Sequence, residues 1–234
     1  MFSAVATLTV FSSAQQTGVP SRQGGATVAA LADHGTEAFA VGASFVGFFV
    51  FVTFIALLAG EFSGGTFRAL LLQDPHRLRL IAGKLTGILL VAAGVVAFAE
   101  LCTFALSLVV APSQDVSTSG WFSMDGLMAG FGDYATVMAG VTGWAIFGTT
   151  LAVIFRSAPI ALGVGFAWAG PFENIVVDSW DTGFRVFPGQ VLASLIRGGT
   201  AELGIGQAVV TAGIYTAIAA LASLLLITRR DVTA

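Results

Sequence analysis

Side chains able to do ionic or proton chemistry are few and unevenly placed. Only 10% of the 234 residues are charged, and Arg68, Arg77, Arg79 and the only lysine, Lys84, crowd into the stretch from Glu61 to Lys84. Glu100 stands alone in an apolar run, and the two histidines, His34 and His76, are separated by another. A phosphate-binding loop needs Gly-x-x-x-x-Gly-Lys-Ser/Thr, because its backbone amides and lysine together cradle the phosphates. Gly83 precedes Lys84, but Leu78 stands where the first glycine belongs and Leu85 follows the lysine. The chain therefore has no nucleotide-binding loop. With a full crossing between them, His34 and His76 cannot share a metal site or a catalytic centre within one chain, and no H-E-x-x-H occurs. An intramembrane serine protease would want a histidine near a membrane-embedded serine, and no histidine lies in an apolar run. The single Cys102 excludes an intramolecular disulfide and a cysteine-based metal cluster, and its apolar surroundings make it a packing residue. No catalytic residue and no metal ligand is assigned.

The elements that must position the charged stretch follow from composition. Hydrophobic residues make up 56% of the chain, whereas a soluble domain carries about 25% charged residues. The outside of this protein must face lipid. A net charge of -3 gives no sign of nucleic-acid binding. Apolar runs from Ala38 to Gly60, Leu85 to Ala111, Tyr134 to Phe155 and Gly204 to Thr228 are each long enough to cross a bilayer, which takes about 20 residues. Met1 to Ala14 is apolar but shorter than that. It lacks the basic n-region of a signal peptide, although Ser12 to Ala14 resembles a cleavage site. It is read as a first span whose cytoplasmic end is missing or abnormally short. Residues 15–37 form an outer loop with a short helix from Ala26 to Ala32.

The fifth segment is irregular. Ala158 to Ala169 is apolar, Gly170-Pro171 is expected to end its helix, and Glu173, Asn174 and Asp178 follow. Residues 171–203 make an outer region holding a short apolar piece, Val186 to Ile196. It is too short to cross and too apolar for water, so it reads as a re-entrant or interfacial helix whose free backbone groups must be covered by protein. Pro112 to Gly132 is a polar outer loop, with Trp121 and Phe122 in an interfacial aromatic belt. The expected fold is one all-α membrane domain of six transmembrane helices with both termini cytoplasmic. Seven of the ten basic residues then fall inside (Arg68, Arg77, Arg79, Lys84, Arg156, Arg229 and Arg230), as the positive-inside rule requires.

Between the second and third spans the charged stretch forms an elbow. Gly64-Gly65 lets the backbone turn out of the membrane. Thr66 is expected to cap a short helix, Phe67 to Gln73, and Asp74-Pro75 to end it. By itself this could be only a basic topogenic loop lying in the headgroups.

The order Glu61, Gly65-Thr66-Phe67-Arg68, Leu71-Leu72, Pro75, Arg77, Lys84 resembles the permease subunits of type-2 ABC exporters. Phe187-Pro188-Gly189-Gln190 before the last span and the ending Arg229-Arg230-Asp231-Val232 are similar to that family as well. The resemblance covers most of the chain from Ala38 onward. The family usually begins with a basic interfacial helix before the first span, and this chain lacks it. The resemblance implies a coupling helix at residues 61–84 that docks on a separate ATP-binding subunit, where ATP and Mg would be held. It further implies a second permease copy, identical or related, and a bacterial-type plasma membrane. Residue by residue, Glu61, Gly65, Thr66 and Arg68 would shape the elbow, Leu71, Pro75 and Arg77 would lie on or near the ATPase contact, and Arg156 would belong to the same surface. For Glu61 the alternative is a local ion pair with Arg68 or Lys84. Glu100, within a span, is either a pathway or gate residue or a carboxyl hydrogen-bonded to a neighbouring Ser or Thr. The rival functions are an ATP-independent secondary transporter or channel, and a membrane scaffold. No feature of the chain identifies a cargo.

Overall fold

The computed structural model describes residues 7–12, 31–32, 34–73, 76–180 and 182–229. Within them the regular elements are all helices, apart from one isolated antiparallel bridge between Gly199 and Gly204. Residues 7–12 are helical; the rest of the expected first span, and residues 26–30 of the expected loop helix, lie outside the described residues. Five helical stretches are long and apolar enough to cross a membrane.

The first long helix, α1, runs from Glu37 to Ser63. A short helix, α2, occupies Thr66–Gln73. The next, α3, spans Arg77–Val110 and closes in a 3-10 turn over Ala111–Gln114. Its 34 residues extend about 51 Å at 1.5 Å per residue, well beyond a hydrocarbon core of about 30 Å. Arg77, Arg79 and Lys84 are therefore helical rather than part of a loop before the span. That corrects the expected start at Leu85: hydropathy marks where lipid begins, not where the helix does.

The helix α4, Met124–Phe155, also begins earlier than expected. Ser123 caps it, its Oγ accepting from the Gly126 amide at 3.1 Å, so Asp125 and Asp133 are helical. Arg156, in the left-handed conformation at φ 50°, ends α4 and returns the chain through Ser157 to α5, Ala158–Ala167.

At Gly170-Pro171 the expected break does not occur. A π-helical turn over Trp168–Phe172 carries the axis into α6, Glu173–Ser179, and the run Ala158–Ser179 is continuous. The wider turn accommodates the proline ring, and Asn174 Nδ2 donates to the Gly170 carbonyl at 2.6 Å. The helical run thus passes Pro171, where the outer region was expected to begin, and ends at Ser179.

Two short helices follow: α7, Gly183–Val186, and α8, Pro188–Ile196. The proline forces Phe187 into an extended conformation at ψ 129°, which separates them and moves the start of the short apolar helix from Val186 to Pro188. Gly198 and Gly199, at φ 70° and 107°, then turn the chain tightly into α9, Ile205–Arg229.

The centre of the bundle is α4 against α1, with α5 closing on α1, α9 on α4, and α8 on α4 and α9. Of the most apolar stretch of α4, 61% is buried, against 6% for that of α3, so α4 is central and α3 peripheral. Close approach depends on small residues: a β-carbon on Gly140 would collide with Ile196, and one on Gly148 would lie 3.0 Å from the Phe51 carbonyl oxygen. A second apolar cluster joins Val10, Phe11, Leu31, Ala38, Ala111, Val116 and Trp121 at the end of the bundle where α1 begins. Trp121 is buried there, its indole donating to the Leu31 carbonyl at 3.1 Å, whereas Phe122 is exposed. The aromatic-belt expectation therefore fails for Trp121, because its N–H finds a protein acceptor inside.

Candidate functional site

Two places collect polar side chains, one at each end of the bundle. At the end where α1 finishes, Gly64 donates to the Gly60 carbonyl at 2.8 Å, Gly65 turns at φ 74°, and α2 follows at once. The first bond of α2 runs from the Ala69 amide to the Gly65 carbonyl at 3.1 Å. Gly65 thus takes the capping position expected of Thr66, which is the first helical residue and is exposed. Phe67 anchors the short helix, buried with Ile81 of α3, Val153 of α4 and Ile227 of α9, and its ring lies 4.6 Å from that of Phe62. Leu72, by contrast, is 87% exposed on a helix pinned by its other side. Sequence reading placed Leu72 only in a pattern, since nothing in the order of residues separates it from Leu71.

Beneath the elbow, Lys84 forms an ion pair with Glu61 across α3 and α1. The local-pair alternative for Glu61 therefore holds, with Lys84 as the partner. A cavity of about 320 Å³ lies beside this pair, lined by Leu58, Phe67, Leu70 and Arg79 among others. Arg77 is the first residue of α3 and half-buried, and Arg156 sits half-buried at the end of α4. Arg68 and Leu71 lie on α2, but their side chains are outside the described set, as is Pro75 altogether.

The opposite end holds a cluster that sequence reading missed. His34 Nδ1 is 3.4 Å from Asp133 Oδ2, and His34 Nε2 is 3.7 Å from Glu37 Oε2. Thr36 donates from its hydroxyl to Asp133 at 2.6 Å, joining the loop before α1 to α4. Glu100 reaches the same place from α3: a β-carbon on Gly130 would lie 3.9 Å from Glu100 Oε1 and 3.5 Å from the Thr36 methyl. Burial raises the Glu37 carboxyl above its ordinary value of 4.5; His34 works against the rise and Asp133 adds to it. Among the described residues, no group of three or more His, Cys, Asp or Glu has the arrangement of a metal site.

The five long apolar helices, with charge gathered at their ends, define a multi-pass α-helical membrane protein. The chain belongs to the DUF2705 family, described as a protein of unknown function, whose match covers residues 2–233. No curated protein and no solved structure matches the chain.

Proposed function

We propose that this protein is the membrane-spanning subunit of an ATP-driven ABC exporter and that α2 is its coupling helix. The observation that carries the reading is the elbow: a short helix, pinned to three long helices through Phe67, presents Leu72 outward. A lever of this kind transmits force because its inner side cannot move without α3, α4 and α9. In this reading the elbow end is cytoplasmic, 7–12 belongs to a sixth span, both termini are inside, and α7 and α8 form the outer re-entrant region. The chain itself is not an enzyme. ATP and Mg are held by two copies of a separate ATPase, and a second permease copy completes the translocation pathway.

The test is co-purification from the native membrane in mild detergent, comparing wild type with Arg68→Glu, Leu72→Glu and Pro75→Ala. An ATPase subunit that accompanies the wild type and is lost from the Leu72→Glu and Arg68→Glu variants supports the reading. If folded wild-type protein brings down no ATPase, the exporter assignment fails.

One observation favours a second reading. His34, Glu37, Glu100 and Asp133 converge from two long helices, a loop and the α1 terminus, as proton- or ion-coupled transport would need. Proton-driven uptake by the purified chain in vesicles, without ATPase, would establish that alternative.

A further inference from the structure

A cleft of about 540 Å³ opens between α1, the π-helical turn with α6, and α8. Its walls are aromatic: Phe48 and Phe166 meet edge to face at 5.6 Å, with Trp144 and Phe184 nearby. Phe49 and Phe166 are more than half exposed, so the wall continues onto the face the bundle turns to lipid. Inside stands Arg197, the residue that ends α8. Its Nε donates to Ser44 of α1 at 2.8 Å, and among the described residues no carboxylate lies within ion-pairing distance of it. Burial lowers its pKa, as expected for a cation short of solvent.

A guanidinium has five N–H donors, and Ser44 takes the one on Nε. The two terminal nitrogens form the planar fork that binds carboxylate or phosphate in bidentate fashion. A charged arginine among apolar groups is costly unless an anion meets it. Beyond it the polar lining is Asn174 and Gln190, hydrogen-bonded to each other at 3.2 Å, and Asp178, exposed on the rim. The irregular π-helical turn, a departure that recurs at functional sites, forms one side of the cleft.

We infer that this cleft binds an amphiphile entering sideways from the bilayer, its carboxylate or phosphate on Arg197 and its chain along the Phe48–Phe166 wall. The Asp178 carboxylate on the rim selects against a second negative charge and accepts from a head-group hydroxyl where the ligand has one. The two sources of such a ligand are a resident phospholipid and a single-chain anion carried as cargo. Binding itself does not depend on the exporter reading; only the second source ties it to transport.

The full chain is reconstituted in phosphatidylcholine vesicles, and quenching of tryptophan fluorescence is titrated with brominated-chain phosphatidylglycerol, brominated oleate or brominated phosphatidylcholine. Saturable quenching by at least one anionic probe, above the unsaturable background that brominated phosphatidylcholine gives by meeting the exposed Trp168 and Trp180 in the bilayer, is expected. Arg197→Gln should weaken it about tenfold, the loss of a charge-assisted bond. Arg197→Lys should weaken it less, and Ala169→Phe, which fills the cleft and leaves the arginine, should abolish it. Preference for phosphatidylglycerol identifies a resident lipid, preference for oleate a cargo. Equal quenching by all three probes, or anionic quenching unchanged in Ala169→Phe or in folded Arg197→Gln, overturns the proposal. No ATPase enters the assay, so its failure leaves the exporter reading standing, and the reverse holds too.

Discussion

A carboxyl that loses its water on folding holds its proton more tightly than it does in the unfolded chain. Glu37 is in that position, above its ordinary value of 4.5, with His34, Asp133 and Glu100 as the titratable groups around it. Between 4.5 and the raised value the folded state binds more protons than the unfolded state, so stability falls as pH rises through that window. Glu37→Gln should flatten that fall, read as melting temperature in detergent from about pH 4 to about pH 8. An unchanged slope would show that Glu37 does not carry it. The Glu61–Lys84 pair is mostly buried, with 22% and 30% of the two side chains exposed, so either Glu61→Gln or Lys84→Ala, which leaves one charge unpaired, should cost about 1–3 kcal/mol of stability. A much larger loss of coupling than of stability would mark Glu61 as more than a local partner.

At the scale of elements, α8 is held by two contacts that can be broken separately. The fully buried Glu173 carboxylate accepts from the Gly189 and Gln190 amides, both at 3.2 Å, and so satisfies the free N–H groups at the start of α8. Glu173→Ala should destabilise by about 1–3 kcal/mol because two buried donors lose their acceptor, while Glu173→Gln keeps an oxygen and should cost less. Thermal unfolding of both variants checks the order; equal losses would mean the carboxylate only fills space. Gly140 allows α8 to lie against α4, where any β-carbon meets Ile196. Gly140→Ala should lose about 1–3 kcal/mol by overpacking, whereas Gly213→Ala on α9, where nothing lies within 4 Å, should lose nothing. Similar melting curves for the two would refute the close α4–α8 contact.

For the whole molecule, the proposed topology is measurable without any partner. With Cys102 replaced, Leu72→Cys should resist a membrane-impermeant maleimide in intact cells, and Phe122→Cys should react, since both side chains are exposed at opposite ends of the bundle. The reverse pattern would invert the orientation and remove the elbow from the cytoplasm. The long α3 is the peripheral member of the bundle, so its exposed apolar face must meet lipid or another chain.

Hydropathy by itself determined the membrane class, four of the apolar runs that became long helices, the elbow between α1 and α3, and the sharp return at Arg156. These are properties of short stretches, because lipid rejects charge wherever it stands in the chain. Helix ends were less legible: α3 and α4 run past their apolar cores because backbone hydrogen bonds continue into the headgroup region whatever the side chains. Gly170-Pro171 looked like a stop and became a π-helical turn, since Asn174 and the surrounding packing absorb the defect. Glu61 could be placed near Lys84 from order alone, but the ion pair between them is shown by the structure. The meeting of Thr36 with Asp133, of Glu173 with the start of α8, and of Arg197 with Ser44 joins residues far apart in the chain. Such contacts depend on how helices cross, which side-chain periodicity cannot specify when a helix is apolar all round; only the packed tertiary structure decided them.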